Sequence, residues 1–185
     1  MISLADIEAA AKLVHGVLSP TPQICWPLLS RRCGAEVWVK HENHTPIGAF
    51  KVRGGITYMA KLKGEQPNVT GIITATRGNH GQSVALAACH GGLSATVVVP
   101  HGNSREKNAA MMALGAELIE HGHDFQAALE YAGSVASERK LHFVPPFHPW
   151  LVAGVATYAL EFFRGAPRMH AVYVPIGIGS GICGL

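Results

Sequence analysis

Charged residues are scarce in this sequence. Aspartate, glutamate, lysine and arginine together make up 15% of its 185 residues, whereas hydrophobic residues make up 48%. A disordered chain has the opposite balance, so the composition excludes disorder. It suits an α/β protein whose buried parallel strands are almost wholly apolar, and the length suffices for one domain or two small ones.

Three further features are missing, and each excludes a class of partner or location. The net charge is +3 and no cluster of lysine and arginine follows the pattern of a nucleic-acid surface, so no nucleic-acid partner is expected. No apolar run has the length of a membrane span, so no membrane partner is expected either. The first ten residues, MISLADIEAA, carry acidic groups and no leading basic region, which predicts a cytoplasmic protein without a secretory signal.

The cysteines and histidines lack the spacings of a redox pair or a metal site. The four cysteines form no CxxC pair, so we expect them to be reduced and mostly buried. They are Cys25, Cys33, Cys89 and Cys183. Among the eleven histidines, His121 and His123 are the one close pair outside the motifs described below, and no metal site is predicted from them.

Strand-like and helix-like segments alternate along the chain. A first helix is predicted to open at Ser3 or Asp6, the proline-broken stretch 18–30 to be extended and looped, and residues 36–41 to form a strand. Further helices are predicted at about 51–64, 80–91, 105–114, 124–139 and 152–163, and further strands at 71–76, 94–99, 116–120, 142–146 and 171–176. This rhythm predicts parallel βαβ units with right-handed crossovers.

The stretch GAFKVRGG, from Gly48 to Gly55, places a lysine in unusual surroundings. Lys51 follows Ala49 and Phe50, which predicts an apolar and partly dry environment. Desolvation favours the neutral amine, and a neutral amine is the nucleophile that attacks an aldehyde. On this stretch alone, an exposed lysine at a helix start is the commoner interpretation.

Two glycine-rich turns follow strand-like runs. ATRGNHGQS (75–83) leads into a helix whose first N–H groups would suit a carboxylate, and VPIGIGSGICGL (174–185) places Gly177, Gly179, Ser180 and Gly181 where backbone N–H groups can hold a phosphate. Each turn alone is weak support, because tight turns need glycine in any case.

Together these three segments, in this order, resemble the fold-type II pyridoxal-phosphate enzymes, and among them the threonine/serine dehydratase and serine racemase group. The resemblance implies that Lys51 holds pyridoxal 5'-phosphate as a Schiff base, that Phe50 packs against its ring, and that Asn79 hydrogen-bonds its 3-hydroxyl. It also assigns the phosphate to the turn formed by Gly177, Gly179, Ser180 and Gly181. The backbone of Gly78, Asn79 and His80 would receive the carboxylate of an amino-acid substrate.

The same resemblance implies the fold. It predicts the α/β fold of the tryptophan synthase beta-subunit type, in which three-layer lobes are built on parallel sheets. Residues 74–148 would form the small lobe, and residues 1–73 and 149–185 part of the large, cofactor-binding lobe. Relatives continue well past the phosphate turn, so the large lobe is expected to be incomplete, and a homo-oligomer is expected.

The activity implied is that of a dehydratase or ammonia-lyase. Such an enzyme converts threonine, serine or a related 3-hydroxy amino acid into a 2-oxo acid and ammonia, with Lys51 removing the Cα proton. Three alternatives remain open: a serine racemase, a β-replacement enzyme on the same scaffold, and an inactive amino-terminal fragment.

Two residues depart from the family pattern. Ile47 stands where many relatives have threonine, which would make one wall of the pocket more apolar. Arg77 stands where serine racemases have the serine that exchanges a proton on the opposite face of the substrate. A guanidinium, with a pKa above about 12, cannot do so at neutral pH, so elimination is favoured over racemisation.

Four polar residues near the motifs are interpreted as structural. The ring of His80 is expected to cap or pack, Arg53 to form a salt bridge within the large lobe, and Gln82 and Ser83 to pack inside the protein.

Overall fold

Helices and strands alternate through most of the chain. The computed structural model describes residues 2–185. Its helices are α1 (Leu4–His15), α2 (Pro27–Cys33), α3 (Lys51–Glu65), α4 (Asn79–Gly91), α5 (Arg105–Ala113), α6 (Phe125–Arg139), α7 (Pro149–Gly165) and α8 (Ser180–Cys183). Its strands are β1 (Gln23–Cys25), β2 (Trp38–Lys40), β3 (Gly71–Ala75), β4 (Ser94–Val99), β5 (Glu117–Glu120) and β6 (His142–Phe143), and a short 3₁₀ helix spans Glu42–His44.

The main sheet has four parallel strands in the order β5-β4-β3-β6. Ile73 packs against Ala132 of α6 on one face, and Ile72 and Val97 pack with Val84 of α4 on the other. Because both faces are covered, every residue of β3 and all of β4 except Ser94 are buried, as is typical of parallel strands. The predicted α/β class with helices on both sides of a parallel sheet is confirmed.

Helices α3 and α7 pack against each other at two glycines. A Cβ on Gly154 would lie 2.5 Å from Thr57 Oγ1, and a Cβ on Gly54 would lie 2.8 Å from the carbonyl oxygen of Leu151. The two backbones therefore approach more closely than any larger side chain allows. Helix α1 packs beside this pair, with Ser3 as its N-cap and Asp6 completing the capping box.

Three predicted elements differ from the structure. The stretch 18–30 is extended at β1, but helix α2 starts at Pro27, because proline is favourable in the first turn of a helix. Residues 171–176 form no strand: among the described residues no strand lies beside them to accept their backbone hydrogen bonds, and Tyr173 is 95% exposed. The predicted strand at 142–146 is reduced to two residues, since two prolines follow Val144.

One expectation about side-chain burial is wrong, and it concerns the cysteines. Ile47 is buried in a core cluster with Val14 of α1 and Val52 of α3, and its place in a pocket wall stays a prediction. Most of the cysteines are exposed rather than buried, because their positions on the ends of α2, α4 and α8 face solvent; all four are free thiols. The exposed ones are Cys33, Cys89 and Cys183.

Within residues 2–185, no helix combines the length and the apolar character needed to cross a bilayer. The same residues hold no group of three or more histidine, cysteine or carboxylate side chains arranged for a metal ion. The division into lobes at residues 74 and 148 stays a prediction.

Candidate active site

Lys51 begins helix α3 and reaches the glycine turn near the end of the chain. Its Nζ donates a hydrogen bond to Ser180 Oγ at 2.9 Å, across 129 positions of sequence. The side chain is half-buried, and burial lowers the pKa of Lys51 below its ordinary value. A larger share of the amine is therefore neutral and nucleophilic than on a solvated lysine.

Two aromatic residues, Phe50 and Tyr158, contact the glycine turn and hold it beside Lys51. The ring of Phe50 lies 5.7 Å from that of Tyr158, and a Cβ on Gly181 would lie 3.1 Å from Phe50 Cζ. Tyr158 Oη donates to the carbonyl oxygen of Gly181 at 3.1 Å. Burial, and then the charge of Glu42, raise the pKa of Tyr158 to about 12, so this hydroxyl stays a donor at neutral pH.

The turn itself combines a buried hydroxyl with open backbone. Ser180 is 2% exposed, and Gly179 has a φ of +112°, which strongly favours glycine. A Cβ at Gly177 would meet no atom of residues 2–185 within 4 Å, and one at Gly179 would only approach the ring of Phe147 at 4.0 Å. The space in front of the turn is therefore free for a ligand.

The second glycine-rich turn connects β3 to helix α4 at the carboxyl edge of the sheet. Thr76 Oγ1 accepts hydrogen bonds from the N–H groups of Gly78 at 2.9 Å and Gly81 at 3.2 Å. Asn79 and His80 are the first two residues of α4, so their N–H groups have no carbonyl partner within the helix. The side chain of Asn79 is exposed and its Oδ1 accepts from Lys107 Nζ at 2.8 Å.

The ring of His80 has a structural role. It is 5% exposed, and its Nε2 lies 3.1 Å from Thr74 Oγ1, whose single proton is donated to the carbonyl oxygen of Val144 at 2.8 Å. Nε2 must then be the protonated nitrogen. Burial, and then the charge of Lys51, lower the pKa of His80 to about 3, so the ring is neutral at physiological pH.

Helix α4 also fixes the backbone at Lys51. Ser83 Oγ donates to the carbonyl oxygen of Lys51 at 2.6 Å, and Gly55 lies so close that a Cβ there would be 2.6 Å from the carbonyl oxygen of Ser83. Ser83 and the buried Gln82 pack inside the protein, as expected. The Nε2 atom of Gln82 has no acceptor among the described residues.

Arg53, two residues after Lys51, holds an ion network behind the site. It is 1% exposed and its guanidinium contacts Glu42 at 2.7 Å and Glu161 at 2.6 Å. Lys40 adds a second cation, 2.6 Å from Glu161. The expected salt-bridge role of Arg53 agrees with these contacts, although the sequence alone did not identify its partners.

The structure adds two residues to the site that the sequence did not identify. Tyr158 on α7 holds the glycine turn, and Lys107 on α5 holds Asn79. No local motif marks either residue, because each acts through a contact with a distant segment.

Pyridoxal phosphate fits this set of groups. A lysine amine of lowered pKa can combine with an aldehyde, and the open glycine turn beside it can admit a phosphate. Phe50 lies next to the lysine and offers a ring face only partly covered by protein.

Comparisons with known proteins agree with the fold and with the family that the sequence resembles. The profile of the family described as "Pyridoxal-phosphate dependent enzyme" matches residues 14–185. The chain is 36% identical to the biosynthetic L-threonine dehydratase IlvA of Pasteurella multocida over 173 residues, which cover 93% of this chain and 34% of that protein.

Solved structures of two such enzymes superimpose closely on this chain. The processed form of threonine deaminase isoform 2 from Solanum lycopersicum superimposes with a TM-score of 0.88 at 33% identity, covering 98% of this chain and 52% of that one. A pyridoxal 5'-phosphate-dependent aspartate racemase superimposes with a TM-score of 0.94 at 27% identity, covering 99% of this chain and 57% of that one. This chain thus spans about a third to a half of the length of these relatives. Because the family profile covers nearly all of it, the chain belongs to the family of pyridoxal-phosphate dependent enzymes.

Proposed function

We propose that the whole protein is a pyridoxal-phosphate-dependent lyase that eliminates the β-hydroxyl of an amino acid. Its substrate would be threonine, serine or a related 3-hydroxy amino acid, and its products a 2-oxo acid and ammonia. The observation that carries the proposal is the Lys51 amine, of lowered pKa, 2.9 Å from Ser180 in the open glycine turn. The threonine dehydratase and threonine deaminase named above support the choice of reaction.

The cofactor would be held by residues from the three motifs. Lys51 would bind it covalently, Phe50 would pack on its ring, and Asn79 would hydrogen-bond its 3-oxygen. Its phosphate would lie on the turn made by Gly177, Gly179, Ser180 and Gly181. When bound, pyridoxal phosphate supplies an electron sink for the charge that develops at Cα.

The protein's own residues supply binding and proton transfer. The N–H groups of Asn79 and His80, which follow Gly78 at the start of α4, would bind the substrate carboxylate. Once the substrate amine has taken its place on the cofactor, the freed neutral amine of Lys51 would take the Cα proton, and its hydrogen bond to Ser180 would orient the amine. The Cβ–O bond then breaks and the hydroxyl leaves with a proton as water. Hydrolysis of the resulting unsaturated amine returns that water and releases the 2-oxo acid and ammonia.

Racemisation or β-replacement is the second candidate, and the likeness to an aspartate racemase favours it. A racemase needs a proton carrier on each face of Cα. The exposed Arg77 precedes the proposed carboxylate site, and a guanidinium has hydrogen-bond donors only, with no acceptor that could take a proton from Cα. Elimination needs a base on one face, which Lys51 provides, so the lyase is the better supported function.

Product analysis tests the proposal. The whole protein loaded with pyridoxal phosphate is incubated with L-threonine and with L-serine in deuterated water, and the 2-oxo acid, ammonia and D-amino acid are measured. We expect equal amounts of 2-oxo acid and ammonia, abolished by Lys51→Ala and retained by Lys63→Ala, an exposed lysine on the same helix. Formation of D-serine as fast as pyruvate would contradict the lyase, and absence of any product would favour a noncatalytic protein.

We further propose that the whole protein is a cytoplasmic homo-oligomer with the two lobes predicted from the sequence. Exposed apolar side chains such as Tyr173 and Ile176 support association with further protein surface. Light scattering on the eluting protein tests the oligomer, and a monomeric mass would contradict it.

A further inference from the structure

Lys107 crosses from helix α5 to the start of helix α4. Its Nζ donates to Asn79 Oδ1 at 2.8 Å, and its stem lies over Gly78, where a Cβ would be 3.3 to 3.6 Å from Lys107 Cγ, Cδ and Cε. The backbone of Lys107 is fixed as well, since its N–H donates to the helix cap Ser104 at 3.4 Å. A surface lysine would ordinarily extend into solvent, whereas this one lies along the second glycine-rich turn.

The hydrogen bond determines which way the Asn79 amide faces. An ammonium group is a donor without acceptor capacity, so the carbonyl oxygen of the amide must point to Lys107. The NH₂ group of Asn79 then points away from Lys107, and because the side chain is exposed this group is free to meet a ligand. Without Lys107 the amide could rotate by half a turn and present its oxygen instead.

We propose that Lys107 is a positioning residue that holds Asn79 with its NH₂ group towards the 3-oxygen of bound pyridoxal phosphate. This inference rests on the proposed function, because it assumes that Asn79 contacts the cofactor. An amide NH₂ can donate to an oxygen that carries negative charge, whereas the amide oxygen would repel it. Gly78 leaves room for the stem of Lys107, since a Cβ there would lie 3.3 Å from Lys107 Cδ and shift the stem by a few tenths of an ångström.

Lys107→Met separates the hydrogen bond from packing. Methionine keeps most of the aliphatic stem over Gly78 but cannot donate to Asn79. We expect the dissociation constant for pyridoxal phosphate, measured by absorbance titration of the whole protein, to rise about three- to tenfold. The visible absorbance maximum of the bound cofactor should also shift, because the hydrogen bond at its 3-oxygen is altered. Lys107→Arg, which retains a donor, should restore both properties to within about twofold of the wild type.

A double-mutant cycle with Asn79→Ala makes the test specific. If Lys107 acts through Asn79, Lys107→Met should have no further effect on affinity or spectrum once the asparagine is removed. Arg105→Gln, which removes a neighbouring exposed charge from the same helix, should change neither property. An unchanged cofactor affinity and spectrum in Lys107→Met, or an equal effect with and without Asn79, would overturn the proposal. A wild-type protein that fails to attach the cofactor at Lys51 would instead overturn the proposed function, and this inference with it.

Discussion

Replacing Arg53 by methionine would leave two carboxylates facing each other inside the protein. The guanidinium contacts Glu42 at 2.7 and 2.9 Å and Glu161 at 2.6 and 3.0 Å, and it is almost completely buried. Removing one partner of a buried ion pair is strongly destabilising, because the remaining charge loses its compensation but stays away from water.

The pKa of Glu161 gives the scale of the effect. Burial opposes ionisation of this carboxyl, but hydrogen bonds from Arg53, Lys40 and His15 outweigh burial and lower its pKa to about 2 from an ordinary value of 4.5. At about 1.4 kcal/mol per pH unit, this difference corresponds to roughly 3 kcal/mol of folding free energy from all three donors together. Arg53 supplies part of that amount and also pairs with Glu42, so we expect Arg53→Met to cost about 3 to 5 kcal/mol.

Thermal and urea unfolding measure this cost. For a chain of this length the midpoint should fall by roughly 10 °C at neutral pH. Arg164→Met is the matched control, because Arg164 pairs with Glu8 on the surface and should cost under about 1 kcal/mol. Adding Glu42→Gln to Arg53→Met should recover part of the loss, since Glu42 loses its cation with Arg53 whereas Glu161 keeps Lys40.

The pH dependence follows from the lowered pKa. Stability that depends on ionised Glu161 is present above its unfolded pKa of 4.5 and is lost as the pH falls towards about 2. The difference between the wild type and Arg53→Met should shrink over the same window. If Arg53→Met were no more destabilising than Arg164→Met, or if the difference grew in acid, the account of the buried network would be refuted.

Two further predictions concern Lys51 and the glycines of the helices. Because burial lowers the pKa of Lys51, the unfolded chain binds a proton more readily at this site and stability rises with pH up to about 10.5. Lys51→Met should therefore raise the thermal midpoint of the cofactor-free protein at pH 7 and raise it less at pH 10; an unchanged or lower midpoint would contradict this. Gly154→Ala should cost at least about 1 to 3 kcal/mol in urea, since its Cβ would lie 2.5 Å from Thr57 Oγ1. The control is Gly133→Ala, in the middle of α6, where a Cβ would meet no atom of the described residues within 4 Å; it should stabilise the protein by about 0.5 to 1 kcal/mol. If Gly154→Ala left the stability unchanged, that result would argue against close packing of α3 and α7.

The strands of the main sheet and the helices between them could be predicted, because the apolar pattern of each segment matches its burial in the folded protein. The apolar runs of β3 and β4 are buried on both faces, and glycine or a polar cap ends most of the intervening helices. The starts and ends of these elements differ from the predicted ones by a few residues at most. Such agreement is typical of parallel sheets, in which central strands buried on both faces are almost wholly apolar.

The errors have one local cause and one long-range cause. The prolines of 18–30 predict a loop, although proline in a first turn is compatible with α2. The apolar run 171–176 predicts a strand, but a strand also needs a neighbour to pair with. Lys107 and Tyr158 lie outside the motifs, and their roles arise only when α5 and α7 meet the two glycine turns.

Peptide mapping after borohydride reduction tests the central claim, that Lys51 is the residue that binds the cofactor. The whole protein is loaded with pyridoxal phosphate, reduced, digested and examined by mass spectrometry. We expect one stoichiometric pyridoxyl adduct on Lys51, lost in Lys51→Ala and retained in Lys63→Ala. A stable adduct on Lys40, Lys61 or Lys63 in place of Lys51, or no adduct at all in the wild type, would contradict it.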